Sequence, residues 1–222
     1  MRVSTSVHMV GGGGLSHQGD CCAYLADVDG HLIMIDAGTG LAHSRICDNI
    51  KEAGYDVSDI EILVLTHCHI DHVGGAAAIK QASGCEILAH EGDKRAIEGY
   101  DGKRTAAELY GIEYIPVDVS RVLGDGDSIV PDSEKLTAVH VPGHTPGSLA
   151  VHYVPGGIEY SVLFGQDVHG PFHEDWGSDE EEWKRSLKKL LNMQADILCE
   201  GHYGVVQPRE RVEDFIKGFL GE

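Results

Sequence analysis

The sequence predicts an α/β protein in which helices cover buried β-sheets. Two observations predict this class: short apolar runs bounded by turn residues, which are typical of buried strands, and amphipathic segments between them, which are typical of helices. The length of 222 residues suits one domain, so residues 1–222 are expected to form a single unit. Hydrophobic residues make up 42% of the chain, which is ordinary for a globular protein.

The apolar runs place the strands, and the intervening patterns place the helices. The predicted strands cover 23–28, 31–36, 61–66, 85–89, 135–141, 149–154, 160–165 and 196–200. Asp29-Gly30 between the first two runs predicts a hairpin. Helices are predicted over 42–53, over 73–82, from a Ser178-x-x-Glu181 capping box, and along 212–220. The charged segment 91–114 fits either a lid or a solvated excursion.

Charge and cysteine usage limit the partners and the compartment. The chain has 17 basic and 36 acidic residues, a net charge of -19, so it repels phosphate backbones and nucleic acid is not an expected partner. No apolar run approaches the ~20 residues that span a bilayer, and the N-terminus lacks a secretory signal, so no membrane partner is expected. Six scattered cysteines without a C-x-x-C pair predict reduced thiols in a cytoplasmic protein. The sequence leaves open whether the protein forms a homo-oligomer.

The segment 66–72 (THCHIDH) carries the strongest chemical signal. It follows a buried apolar strand, and it holds four candidate metal ligands within six residues. In an extended stretch His67 and His69 project to the same side, because side chains alternate with period two. Asp71 and His72 then project from the turn into the following helix. Such a turn can supply ligands to two adjacent metal ions, and the buried strand before it argues against a surface histidine cluster.

Three further candidates follow the ends of apolar strands, as His67 does. They are His144, Asp167 and His202. If the strands share a sheet sandwich, these loops converge on one edge, with enough imidazoles and carboxylates for two metals and a shared carboxylate. Such ligands suit zinc, iron or manganese. No cysteine is among them, which favours a catalytic site with an open position over a closed structural one.

The H-x-H-x-D-H run and the later His, Asp and His resemble the metallo-β-lactamase fold superfamily. The resemblance is to the branch of hydroxyacylglutathione hydrolases (glyoxalase II) and quorum-sensing lactonases, and it extends over nearly the whole chain, including Ile-Asp-Ala-Gly at 35–38. It implies a four-layer αββα sandwich of the metallo-β-lactamase type with a binuclear site at one edge. In that site the first metal is held by His67, His69 and His144, the second by Asp71, His72 and His202; Asp167 bridges them, and Asp36 steadies the ligand loop.

The resemblance also implies an activity on a small-molecule substrate. The expected cofactors are two divalent metal ions, zinc first, with iron or manganese as alternatives. A metal-bound hydroxide would cleave a thioester, lactone or related ester, because bound metals lower the pKa of water and polarise carbonyls. Asp71 is the expected catalytic residue, which orients the hydroxide or shuttles its proton. His169 and His173 of the loop 168–176, and Tyr203, are candidate substrate contacts, with surface packing as the alternative.

Departures from the family pattern narrow the expected substrate. β-Lactamases of this fold commonly place a cysteine where this chain has Asp167, which argues against antibiotic hydrolysis. Flavodiiron proteins place Glu where this chain has His69. The short tail after His202 leaves no room for their flavodoxin domain, or for the helical domain with which glyoxalase II grips glutathione. Glutathione thioesters are therefore not the first expectation.

Two other functions remain open from the sequence. One is a mononuclear non-haem iron persulfide dioxygenase of the same fold, with His67, His144 and Asp167 as the iron ligands, since two imidazoles and a carboxylate suit iron and oxygen. The other is a non-catalytic metal-binding sensor or regulatory module. An intact ligand set favours an enzyme over a sensor, because a sensor does not require an open hydrolytic centre.

Overall fold

The computed structural model describes residues 1–131, 133–156 and 160–221, which form two facing β-sheets with helices on both outer sides. The first sheet has six strands in chain order: β1 (Val7–Met9), β2 (Tyr24–Val28), β3 (His31–Ile35), β4 (Ile60–Val64), β5 (Glu86–Ala89) and β6 (Arg121–Val122). Strands β1 to β3 are antiparallel, whereas β3 to β6 are parallel. The β2–β3 hairpin turns at Asp29 and Gly30, both with positive φ, as predicted.

The second sheet comes from the later part of the chain. It has five strands: β7 (Leu136–His140), β8 (Leu149–Tyr153), β9 (Val162–Gln166), β10 (Ile197–Glu200) and β11 (Gly204–Val206), with β7 and β11 at the two edges. Only β9 and β10 are parallel, because a long connection joins them. All eight predicted strands are therefore present, and the short β1, β6 and β11 complete the sheets.

In the described residues, seven α-helices cover the outer faces. They are α1 (His43–Glu52), α2 (Ile70–Val73), α3 (Ala76–Ser83), α4 (Glu91–Ile97), α5 (Ala107–Tyr110), α6 (Glu180–Asn192) and α7 (Arg209–Leu220). Helices α1, α3 and α4 pack Ile46, Ile79 and Ile97 onto the first sheet, while α6 and α7 pack Leu187 and Ile216 onto the second. No helix in the described part of the chain is long and apolar enough to cross a membrane.

A third apolar cluster fills the space between the sheets. Ile33, Ile35 and Val64 of the first sheet meet Val151 and Phe164 of the second, and all are buried. Burial on both faces explains why the strands read as continuous apolar runs rather than alternating ones. With helices outside both sheets, the order of layers is helix, sheet, sheet, helix, which confirms the predicted αββα sandwich.

Two helix starts differ from the sequence predictions. The predicted helix 73–82 is split into α2 and α3, because the chain turns at Gly74 and Gly75. A Cβ on Gly75 would lie 2.2 Å from the carbonyl oxygen of Ala37, so only glycine permits this approach. The capping box at Ser178 is wrong: Asp179 caps α6 by accepting from the N–H groups of Glu181 and Glu182. The Ser178 hydroxyl donates instead to the carbonyl of His144.

Candidate metal centre

The candidate centre lies at one edge of the sandwich, where strands of both sheets end. The first sheet supplies His67 after β4, His69 at the start of α2, and Asp71 and His72 within α2. The second sheet supplies His144 after β7, Asp167 after β9 and His202 after β10. The seven residues predicted as ligands thus come together, with six of them buried and His202 more exposed.

Three imidazoles form the first half of the centre. The Nε2 atom of His144 lies 3.2 Å from Nε2 of His67 and 2.9 Å from Nδ1 of His69, and the latter two atoms are 3.1 Å apart. Tetrahedral zinc–imidazole bonds place ligand nitrogens about 3.3 Å apart, so these nitrogens are spaced for one cation. Cys68 lies between two of them in sequence, but its thiol faces the carbonyl of Arg104.

A carboxylate and two imidazoles form the second half. Oδ2 of Asp71 lies 3.2 Å from Nε2 of His202 and 3.7 Å from Nε2 of His72. The carboxylate of Asp167 lies between the halves: Oδ1 is 3.2 Å from Nε2 of His72, and Oδ2 is 3.4 Å from Nε2 of His144. Asp167 is therefore within reach of ligand atoms in both halves, as its bridging assignment requires.

The donor set fits bound cations. The Nδ1 atoms of His144 and His72 face acceptors, the Pro171 carbonyl at 2.7 Å and the Asp36 carboxylate at 2.8 Å. Each ring therefore carries its proton on Nδ1 and directs the lone pair of Nε2 into the centre. Nε2 of His72 and Oδ1 of Asp167 are buried and have no hydrogen-bond partner. Converging lone pairs and unpartnered buried atoms repel one another unless a cation lies between them.

The two halves differ in their electrostatics. Burial lowers the pKa of His67 and His69 well below the usual value, so these rings are neutral, as metal ligands must be. In the second half burial opposes the charge on His202, but its hydrogen bonds with Asp167 and Asp71 raise its pKa to about 10. The carboxylates therefore concentrate negative charge in this half, which favours a cation there.

Asp36 supports the centre from behind, as the family resemblance implies. Its carboxylate accepts from the N–H and hydroxyl of Thr66 at 2.8 and 2.7 Å and from Nδ1 of His72. The backbone of Asp36 has a φ of 58°, and that of Gln166, directly before Asp167, has a φ of 49°. A non-glycine residue at such a φ costs roughly 1 kcal/mol, so backbone strain is concentrated at two strand ends that position the centre.

Asp93 is a positioning residue that the sequence analysis missed. It is buried in α4, and its Oδ2 accepts from the N–H of Cys68 at 3.0 Å and from the hydroxyl of Thr145 at 2.6 Å. Its Oδ1 accepts from the N–H of Gly147 at 3.0 Å. One carboxylate thus ties the loop of His67 and His69 to the loop of His144. No local pattern marks Asp93, because its partners are distant in sequence.

A cavity of about 300 Å³ opens over the centre. Its floor contains candidate ligands, and its walls are Ala106, Leu109, Tyr110, Pro171 and Trp176. The Trp176 ring contacts His69, with ring centroids 4.5 Å apart. Burial and the nearby Asp71 carboxylate raise the pKa of the Tyr110 phenol. Part of the segment 91–114 therefore forms a wall of the site, whereas its role as a lid stays a prediction.

The three predicted substrate contacts occupy different positions around this cavity. His169 lines it, and Nδ1 of its ring lies 2.9 Å from the buried carboxylate of Glu200. His173 lies further out, where its Nδ1 caps a short turn by accepting from the N–H of Asp175. Tyr203 lines a different cavity of about 400 Å³ beside Gly12–Gly14, which shares His202 with the cavity over the centre. Only His169 directly borders the space over the centre.

The fold and this site define a class of protein. The sequence profile of the metallo-beta-lactamase superfamily matches residues 18–202, a span that contains every candidate ligand. The chain belongs to this superfamily, which confirms the resemblance found in the sequence.

Individual relatives are similar over most or part of the chain. Hydroxyacylglutathione hydrolase GloC of Haemophilus influenzae is 30% identical over 208 residues, 88% of this chain and 92% of that protein. The hydroxyacylglutathione hydrolase of Cereibacter sphaeroides is 30% identical over 143 residues, which is 63% of this chain and about half, 47%, of that protein. Acyl-coenzyme A thioesterase MBLAC2 of Gallus gallus is 30% identical over 201 residues, 78% of this chain and 69% of that protein.

Solved structures show the same fold. The class B3 di-zinc metallo-beta-lactamase LRA-12 from an Alaskan soil metagenome is 26% identical, with a TM-score of 0.76 over 90% of this chain and 77% of that one. The beta-lactamase from Chitinophaga pinensis has a TM-score of 0.80 at 22% identity, over 99% of this chain and 89% of that one. At 22% identity, the similarity to the Chitinophaga pinensis structure concerns the fold alone.

Proposed function

We propose that this protein is a metal-dependent hydrolase of thioesters, with lactones and related esters as further candidate substrates. The observation that carries the proposal is the pair of ligand clusters that share Asp167 beneath an open cavity. The relatives named as hydroxyacylglutathione hydrolases and as an acyl-coenzyme A thioesterase support the thioester class. Because one of them aligns over 92% of its length, glutathione thioesters belong in the substrate panel.

The ligand assignment follows the two clusters. His67, His69 and His144 would hold one divalent cation, Asp71, His72 and His202 a second, and Asp167 would contact both; zinc is the first choice, with iron or manganese as alternatives. Two bound cations would polarise the substrate carbonyl and supply a hydroxide nucleophile near neutral pH.

The chain's own residues position the reaction. The Asp71 carboxylate borders the cavity and is placed to accept a proton at Oδ2, while Asp36 and the Pro171 carbonyl fix the rings of His72 and His144. The Tyr110 hydroxyl, next to Asp71, is placed to donate to a substrate oxygen. The walls of Leu109 and Trp176 exclude water from one side of the reacting bond.

Metal content and turnover test the proposal together. Protein purified without added metal is analysed by elemental mass spectrometry, and the same sample is assayed on glutathione, coenzyme A and N-acetylcysteamine thioesters and on lactones. We expect about two zinc, iron or manganese ions per chain and thioester cleavage that a chelator abolishes and added metal restores. Metal-loaded protein that turns over no thioester or ester would falsify the hydrolase and favour the sensor. About one iron per chain, with oxygen uptake on a persulfide, would instead establish the dioxygenase.

A further inference from the structure

The space over the centre continues outward as a channel with a defined chemistry. A second cavity of about 330 Å³ adjoins the first, because Ala106, Leu109 and Trp176 line both, and the two cavities together are here named the Trp176 channel. It joins the centre on the side of His69, against which Trp176 packs. The cavity beside Gly12–Gly14 instead joins at His202, in the other half of the centre. The two openings therefore leave from different halves.

A thioester has two arms, and this arrangement separates them. A carbonyl held between the two halves places one arm toward Trp176 and the other toward His202. We propose that the Trp176 channel binds the acyl arm, and that this arm is uncharged and apolar. This inference rests on the proposed hydrolysis of thioesters and adds the acyl class to it.

The walls of the inner cavity are mainly apolar. Leu109, Ala106, Pro171 and Trp176 present apolar and aromatic surface, and Leu109 is 74% exposed, so this surface has no other partner in the described part of the chain. Among the described lining residues of the inner cavity there is no lysine or arginine, and in the outer cavity Lys103 is outnumbered by the carboxylates of Glu108 and Asp175. A carboxylate at the end of the acyl arm would lose hydration in the inner cavity and would meet more acidic than basic groups in the outer one. Apolar burial, in contrast, favours an alkyl or aryl chain.

The wall is fixed to the ligand loops rather than free. Nη1 of Arg104 donates to the carbonyl of Gly92 at 2.9 Å, and the carbonyl of Arg104 accepts from the thiol of Cys68 at 3.3 Å. The segment that carries Leu109 is therefore anchored beside His67 and His69. A fixed wall selects acyl groups by shape and charge, because little reorganisation is needed on binding.

The test compares two thioesters of one thiol that differ only at the acyl end. N-acetylcysteamine thioesters of hexanoic acid and of adipic acid have equal chain lengths, and the second ends in a carboxylate. For the metal-loaded protein we expect kcat/KM to be at least about tenfold higher for hexanoyl than for adipoyl. In Leu109→Lys, which adds a cation to the wall, this preference should fall about threefold to fivefold. The matched control Leu41→Lys changes an exposed leucine outside the channel and should leave the preference unchanged.

A binding measurement makes the result independent of turnover. Hexanamide should change the tryptophan fluorescence of metal-loaded protein at lower concentration than adipamic acid, and Trp176→Phe should remove the signal, since Trp183 is buried against Phe172. Equal or preferred use of adipoyl, with tighter binding of adipamic acid, overturns the acyl assignment while leaving the hydrolase intact. Absence of cleavage of every thioester overturns the proposed function instead, and the fluorescence result then decides the channel by itself.

Discussion

Asp167 is the residue that the proposed metal centre places in contact with both halves. Its two carboxylate oxygens face different histidines, Oδ1 toward His72 and Oδ2 toward His144 and His202. Under the proposed assignment, replacing it removes a ligand from each half at once, and the remaining imidazoles lose their shared counter-charge. The proposal therefore assigns Asp167 to metal binding in both halves rather than to packing.

We expect Asp167→Ala to lower metal content to less than one ion per chain and kcat/KM by more than about 100-fold, because loss of a direct ligand exceeds the 10–100-fold cost of losing an outer one. The protein should stay folded by circular dichroism. Asp48→Ala, an exposed carboxylate on α1, is the control and should change neither quantity. Full activity with unchanged metal content would show that Asp167 is not a ligand.

Asp93 is not a candidate ligand but holds the loops that carry His67, His69 and His144. Because both of its oxygens accept hydrogen bonds, Asp93→Asn must turn an N–H group toward a donor, either Gly147 or the pair Cys68 and Thr145. We expect metal affinity to fall about tenfold to 100-fold. Competition with a chromogenic chelator measures this directly. Asp125→Asn, which alters an exposed carboxylate paired with Lys189, is the control. Unchanged affinity in Asp93→Asn would limit Asp93 to a purely structural role.

At the scale of elements, the turn between β10 and β11 illustrates how closely the ligand loops pack. A Cβ on Gly201 would lie 2.4 Å from Oδ1 of Asp167. We expect Gly201→Ala to displace that carboxylate and to reduce metal content. Gly218→Ala in α7, where an added Cβ meets nothing, should instead stabilise the protein by roughly 0.5–1 kcal/mol. Metal analysis and thermal unfolding of the two variants distinguish a local clash from a general effect of alanine.

The start of α6 offers a second prediction at this scale. Since the Asp179 carboxylate accepts two backbone N–H groups, Asp179→Ala should cost about 1 kcal/mol, or about 2–4 °C in Tm. Ser178→Ala should leave the cap intact and act instead through the loop of His144, because the serine hydroxyl donates to that carbonyl. Equal losses of helix stability in both variants would contradict the assignment of the cap to Asp179.

At the scale of the whole molecule, we expect metal removal to lower the stability of the fold. The candidate ligands come from both sheets, so bound cations would connect the two sheets and stabilise only the folded chain. At a free metal concentration of 100 Kd, one site adds about 2.7 kcal/mol, which corresponds to about 5–10 °C in Tm. Calorimetry before and after chelation, with metal returned in a third scan, measures the effect. Identical Tm values in all three scans would contradict the cross-sheet site.

The sequence predicted the sandwich well because its main strands are buried on both faces and form continuous apolar runs. It missed β6 and β11, since strands of two or three residues carry no periodicity. It predicted one domain over 1–222, which stays a prediction. The convergence of the seven candidate ligands was predictable because four lie in one motif and three follow strand ends. Asp93, Leu109 and Tyr110 were not, because only tertiary contacts between distant segments bring them to the centre.

The division of the ligands between the two sheets also has a consequence during synthesis. The first sheet, with His67, His69, Asp71 and His72, leaves the ribosome before His144, Asp167 and His202 have been made, and early segments begin to fold first. Until the second sheet docks, the nascent chain presents only four of the seven candidate ligands. A cation that needs ligands from both sheets would therefore be selected late, when the sheets close on each other.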